Sequence, residues 1–419
     1  MRERRFVRQR TEIAQLADYP VGSRARRQAA QTNFFPMTQP TAAKILPGFR
    51  VAMVLQGGGA LGAYQGGVYQ ALHEHGMTPD WVVGTSIGAI NGAIIAGNRH
   101  ASRLTRLQEF WESISHPDFF DMHQVPDAIR QLNTRFSTLK SSIWGVPGFY
   151  VPRPFNPFAA GLPVDPERAS YYDTTPLAGT LQRFVDFDFL NAKDAMRLSV
   201  GAMQVTTGEL INFDNSTQTI GPEHIMASGA LPPGFPPVRI DGELYWDGGL
   251  YSNTPLEVVL DDEPRQNTLC FMVDLWRSEG PEPRTLEESY TRQRDVLLAS
   301  RSNRHIDEYR RMHNLRNVVC NLHERLPADM VNQPEVREMA ALGCNTTMHI
   351  VRLAYGGQDW QMANKHINFS SGSIHWRWEK GYEDGLRAIE QAGWMQPHSP
   401  LVGVVVHDLI PAPRQEQHD

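Results

Sequence analysis

The stretch Trp81-Val82-Val83-Gly84-Thr85-Ser86-Ile87-Gly88-Ala89 runs apolar residues into a G-x-S-x-G, and a small, apolar run from Ile90 to Ala96 follows. That order predicts a buried strand, a sharp turn and a helix. It is the form of a nucleophile elbow, which lifts one serine hydroxyl clear of the backbone. Gly84 and Gly88 flank the turn, where a Cβ would meet neighbouring backbone. The helix starting after Ser86 turns its N-terminal N–H groups toward a reacting carbon, which favours developing negative charge. Glycine and serine are common, so the motif alone also describes an ordinary Gly-rich strand–helix turn.

Its surroundings narrow the choice. Upstream, Val51 to Leu55 reads as a buried strand that enters Gln56-Gly57-Gly58-Gly59-Ala60-Leu61-Gly62. A helix is expected from Gly62 to His75, ended by Gly76. Strand, loop, helix, strand, elbow and helix in succession predict a doubly wound α/β fold, with a mainly parallel central sheet between helical layers. Ligands in such sheets sit beyond the carboxyl ends of the strands, where both the triple glycine and Ser86 fall. Further strands are expected at 197–205 and 268–275. The stretches 209–213 with 197–205, and 238–240 with 243–245, read as hairpins, the second delivering Asp247 at its end.

At 419 residues the chain can bury a large core, and its 41% hydrophobic and 21% charged residues are ordinary for a soluble protein. The net charge of −6 argues against a nucleic-acid partner. Cys270, Cys320 and Cys344 are odd in number and widely spaced, which fits a reducing, cytoplasmic compartment. The histidines show no ligand spacing, so no metal and no cofactor are expected. Residues 81–97 are too polar and too short for a membrane span.

The expected organisation has three parts. Residues 1–48 form a basic, disordered leader with Arg2, Arg4, Arg5, Arg8, Arg10, Arg24, Arg26 and Arg27, suited either to solvent or to peripheral contact with an anionic membrane. Residues 49–276 form the catalytic region. Within it, 116–172 is rich in aromatics and prolines, including Phe119, Phe120, Phe149, Tyr150, Phe155 and Phe158. This insertion is either simply packed or a cap that builds an acyl-chain pocket. Residues 277–419 form a mostly helical extension. Its polar helix, about 286–315, is expected to dock through Val296, Leu297, Ile306 and Tyr309, with membrane contact as the alternative.

The motifs Gly57-Gly58-Gly59-Ala60-Leu61-Gly62, Gly84-Thr85-Ser86-Ile87-Gly88 and Asp247-Gly248-Gly249 occur in that order, with Ala227-Ser228-Gly229-Ala230-Leu231-Pro232 before the last. Together they resemble the patatin-like phospholipases, in particular the bacterial branch, over about residues 50–275. The extension is similar to one found on some bacterial members. The resemblance implies a Ser/Asp dyad without a catalytic histidine, in which Ser86 is the nucleophile and Asp247 the proton acceptor. It also implies that Gly57, Gly58 and Gly59 supply oxyanion-hole N–H groups. Leu61 stands where many members carry Arg or Lys, so a weaker preference for anionic head groups is expected.

The residues support this chemistry independently. A serine hydroxyl needs a base within hydrogen-bond reach. A carboxylate serves only if desolvation raises its basicity. Gly57, Gly59 and Gly62 also fit G-x-G-x-x-G, but no acid stands at the end of the second strand as a dinucleotide site needs. His73, His75 and His224 are the candidates for a Ser-His-Asp triad, and none carries a motif. The expected activity is hydrolysis of a lipid carboxylic ester through an acyl-enzyme, as in a phospholipase A. The alternatives are an acyltransferase, or an esterase for a non-phospholipid ester such as a hydroxyalkanoate oligomer. A non-catalytic lipid-binding scaffold is the remaining class.

Overall fold

The computed structural model describes residues 45–118, 127–154, 161–356, 365–399 and 402–409. Positions 1–44 of the basic leader lie outside these, as do Phe119, Phe120, Phe155 and Phe158 of the insertion.

A nine-stranded sheet organises the chain. Its parallel heart is β1 (Arg50–Leu55), β2 (Trp81–Gly84), β5 (Arg197–Gln204) and β9 (Thr268–Asp274), in the order β9-β1-β2-β5. All seven residues of β9 and the last five of β1 are buried. A strand covered on both faces has no solvent side to mark with polar residues, so it reads as a continuous apolar run. Beyond β5, the hairpin β7 (Val238–Ile240) and β8 (Glu243–Asp247) adds antiparallel pairs, with Ala202 opposite Asp247. Strand β6 (Leu210–Asp214) also pairs antiparallel with β5. The short β3 (Val151–Pro152) and β4 (Tyr172–Asp173) form a separate ribbon in the insertion.

The flanking helices include α1 (Ala63–Glu74), α2 (Ile87–Ala96), α3 (His100–Ser113), α4 (Asp127–Trp144), α5 (Thr175–Phe184) and α6 (Pro222–Ser228). C-terminal to them come α7 (Leu286–His323) and α8 (Ser371–Gln391). Helix α7 begins at a capping box in which Thr285 and Glu288 satisfy each other's backbone N–H groups. It docks through Ile306, which is buried, and Tyr309, whose hydroxyl donates to Asp261. Val296 and Leu297 are exposed, against expectation. Leu297 lies nine residues before Ile306, half a turn around at 100° per residue, so the two cannot share a face.

The extension is mostly helical but also contributes to the sheet, which the sequence reading did not anticipate. Strands β10 (Met348–Ala354) and β11 (Val404–Leu409) continue the parallel order on the far side of β9. Helix α8 lies on α1 with the backbones touching: a Cβ on Gly67 would meet the Trp378 carbonyl oxygen at 1.9 Å, and one on Gly381 would meet that of Tyr64 at 1.9 Å. The Trp378 indole donates to Gln70 at 2.7 Å across the same contact. Among the described residues no helix is long and apolar enough to cross a membrane.

Candidate active site

Ser86 stands between β2 and α2 with φ 57° and ψ −122°, a conformation an L-residue adopts only when its surroundings impose it. The surroundings are tight. A Cβ on Gly84 would lie 2.4 Å from the Gly88 carbonyl, and one on Gly88 would lie 2.2 Å from the Leu55 carbonyl oxygen. The Thr85 N–H donates to Leu55 at 3.1 Å, and the Ser86 N–H donates to Ser228 Oγ at 3.1 Å. The turn is therefore braced against β1 and against α6.

Asp247 ends β8, and its side chain is buried. One carboxylate oxygen accepts the Gly249 N–H at 2.7 Å, and the Ser86 hydroxyl lies close enough to the carboxylate to favour its ionised form. Burial pushes the carboxyl from its ordinary 3.8 up to about 7, against the smaller, opposing pull of the Gly249 N–H and the nearby Ser86 hydroxyl. No cation is paired with it among the described residues. Gly248 lets the chain pass β5, since a Cβ there would lie 2.4 Å from the Gly201 carbonyl oxygen.

The glycine turn after β1 lies beside the serine. A Cβ on Gly57 would sit 3.1 Å from Ser86 Cβ and 2.3 Å from Asn253 Oδ1. The three glycines are not equivalent. Gly57 N–H donates to the Asn253 carbonyl at 3.1 Å, so it is already engaged. Gly58 and Gly59 are half-buried, and no partner is found for their N–H groups among the described residues. Gly59 has φ +55°, and a Cβ there would lie 2.4 Å from the His366 carbonyl oxygen. Gly62 packs against Ile87 and Trp111 and joins the glycine turn to the start of α2.

The candidate triad histidines have other roles. His224 Nδ1 accepts the Gly221 N–H at 2.9 Å and so caps α6. His75 bonds the Ala71 carbonyl at 2.8 Å. His73 packs against His100, and burial lowers it to about 4. None of the three is bonded to Ser86 or Asp247.

A family model described as patatin-like phospholipase matches residues 53–260, and a second, described as patatin phospholipase, matches residues 296–401. The chain belongs to the patatin-like phospholipase family. Patatin-like phospholipase domain-containing protein 6 of Mus musculus is 46% identical over 69 residues, covering 16% of this chain and 5% of that protein. An uncharacterized NTE family protein of Mycobacterium tuberculosis is 28% identical over 240 residues, 57% of this chain and 32% of that protein. The chain thus spans only a small part of those relatives' length. Among solved structures, VipD from Legionella pneumophila aligns with 14% identity and a TM-score of 0.35, covering 88% of this chain and 73% of that one.

In this member of the patatin-like phospholipase family several residues of the candidate site carried no local signal. Asn253 grips Gly57 from both sides, accepting its N–H and donating Nδ2 to its carbonyl at 3.1 Å. Trp276 donates its indole N–H to the same carbonyl at 2.7 Å. Gln56 braces the turn beneath, its Oε1 accepting the Trp276 N–H at 2.9 Å and its Nε2 donating to Thr254 at 2.7 Å. Asn253 stands six residues after Asp247, and only that proximity could have flagged it. From the insertion, Tyr150 and Tyr172 pack tilted and edge-on against Phe235, whose loop begins at Gly229, where a Cβ would lie 3.9 Å from Ser86 Oγ.

Proposed function

We propose that this chain is a serine hydrolase that cleaves carboxylic ester bonds of lipids through an acyl-enzyme on Ser86, with Asp247 as the base. The observation that carries the reading is the buried Asp247 carboxyl beside the Ser86 hydroxyl, held near 7 with no cation paired to it among the described residues. A carboxyl in that range is a far better proton acceptor at neutral pH than an exposed one.

In the proposed sequence Ser86 Oγ attacks the ester carbonyl carbon and its proton passes to Asp247. The tetrahedral oxyanion is held by the N–H groups of Gly58 and Gly59, at the N-terminal side of α2. Asp247 then returns the proton to the departing alcohol. Water enters and attacks the acyl carbonyl as Asp247 takes its proton, and collapse of that intermediate frees the acid while Asp247 returns the proton to Ser86 Oγ. Gly57 acts as the anchor of this turn rather than as a donor, because its N–H is engaged. The aromatic group of Tyr150, Tyr172 and Phe235, on and against the loop that leaves Ser86 at Gly229, supports an apolar acyl site in that part of the molecule. The family membership supports a lipid as the acyl donor. The three free thiols support a cytoplasmic setting, from which the protein would meet membrane lipid peripherally.

Labelling with a fluorophosphonate, followed by intact mass, tests the reading. Wild type should take one adduct and hydrolyse phospholipid in vesicles. Ser86→Ala should take none and lose about 10⁴-fold or more in kcat with its fold retained. Turnover by Ser86→Ala would end the proposal.

A further inference from the structure

The direction of an oxyanion donor is set by the peptide plane that contains it. The Gly57 carbonyl and the Gly58 N–H belong to one planar trans peptide, so they point in opposite directions. Whatever holds that carbonyl therefore aims that N–H. Two side chains hold it, Trp276 through its indole at 2.7 Å and Asn253 at 3.1 Å. Trp276 is 3% exposed. Lys365 Nζ lies 5.1 Å from its ring centre, the His366 ring lies 6.1 Å away, and its own N–H is tied to Gln56.

The next part of the turn is held from the same side. The fully buried Arg377 guanidinium, on α8, donates to the Ala60 carbonyl at 3.1 Å, to that of Asn368 at 2.9 Å and to that of Lys365 at 3.1 Å. These hydrogen bonds bind the glycine turn to residues 365–368, and the His366 carbonyl fills the space where Gly59 lacks a Cβ. A buried guanidinium is costly to bury unless its donors are satisfied. Here three backbone carbonyls from two segments far apart in sequence do that.

We infer that Trp276 is a positioning residue for the Gly58 N–H, and that the 365–368 turn held by Arg377 is its support. The C-terminal region is then a working part of the oxyanion site. This rests on the hydrolase reading above. Trp276 touches no reacting atom; it acts through the peptide it holds.

The test compares wild type, Trp276→Phe, Arg377→Lys and Tyr382→Phe in the full chain. Turnover is normalised to serine titrated with fluorophosphonate, and kcat, KM, the pH profile and Tm are all measured. Trp276→Phe keeps a ring in place but removes the N–H. It should lose about 10- to 100-fold in kcat, with KM within about 3-fold. The midpoint of its pH profile should stay where it is in wild type, because Asp247 is untouched. Arg377→Lys keeps a cation but cannot span three carbonyls, and its kcat should fall in the same way. Tyr382→Phe removes a hydrogen bond to Glu74 from the same helix and should leave kcat unchanged. Wild-type kcat in folded Trp276→Phe would overturn the inference alone, and so would a shifted pH midpoint. Failure of both variants to fold would also overturn it, making these residues scaffold. Absence of any adduct on wild type would instead fail the hydrolase reading, and this inference with it.

Discussion

Two aspartates near opposite ends of β5 occupy very different surroundings. Toward its amino end Asp214 accepts Ser199 Oγ at 2.5 Å, Arg197 Nε at 2.8 Å and both the N–H and hydroxyl of Ser216 at 2.8 and 2.6 Å. Burial works to raise this carboxyl, but those donors together hold it below its ordinary range. The network extends outward. Trp81 donates to Ser199, the Arg50 and Arg197 guanidinium groups lie over its ring at 4.7 and 4.0 Å, and Asp262 pairs with both arginines. Toward the carboxyl end Asp247 has the Gly249 N–H, the nearby Ser86 hydroxyl and, among the described residues, no cation, and rises to about 7. The side chain is the same. Donor count and charge decide whether a buried carboxyl stays ionised as a strut or keeps an affinity for protons useful to a base.

The largest expected effect tests the second aspartate. Asp247→Asn should lower kcat by about 10⁴-fold, and wild-type kcat/KM should rise with pH through a midpoint near 7. Stability should move the other way. A raised carboxyl pKa means the folded state holds more protons than the unfolded state between about 4 and 7, so wild type loses stability as pH rises through that window. The Asn variant does not titrate, and its Tm should gain on wild type from pH 4 to pH 8. A constant difference in Tm would contradict the raised carboxyl.

Gly59→Ala comes next. It places a Cβ 2.4 Å from the His366 carbonyl oxygen at a residue with φ +55°. We expect about a 100-fold loss in kcat and about 1–3 kcal/mol of stability. A kcat within twofold of wild type would remove Gly59 from the oxyanion site. The smallest catalytic effect belongs to the first aspartate. Asp214→Asn should cost about 2 kcal/mol at pH 7 by weakening charge-assisted hydrogen bonds, with kcat per titrated serine unchanged. Because this carboxyl is depressed, its contribution is present above its unfolded value and is lost as pH falls through its folded value. Denaturation midpoints of variant and wild type should therefore converge in acid. Loss of kcat per serine would blur the contrast between the two ends.

The half that carries the candidate site was legible because its constraints are local. Gly84 and Gly88 are required by backbone within a few residues or on the adjacent strand, and the strand–turn–helix order shows in apolar runs. Asp247 was legible as the end of a tight hairpin followed by two glycines. Strands β10 and β11 were not. His349 and Arg352 interrupt the apolar run in β10, and Arg352 is tolerated there because Asp274 of β9 meets it at 2.7 Å. That pairing spans 78 residues and leaves no periodic trace. The docking face of α7 was misjudged for a related reason, since Val296 and Leu297 are apolar but lie off the face that Ile306 and Tyr309 present.

By itself the sequence determined the elbow, the parallel α/β order and the glycine turn, and pointed to Ser86 and Asp247 as the candidate reacting pair. Each is written in short-range sterics, where a missing Cβ or an apolar run has one local meaning. Only the tertiary structure decided that the Gly57 N–H is engaged by Asn253, that Trp276 holds the Gly57 carbonyl, and that Arg377 ties the turn to residues 365–368. It alone decided how far Asp247 is desolvated. The direction of an N–H and the dielectric around a carboxyl depend on atoms brought from hundreds of residues away, and no residue carries that information alone.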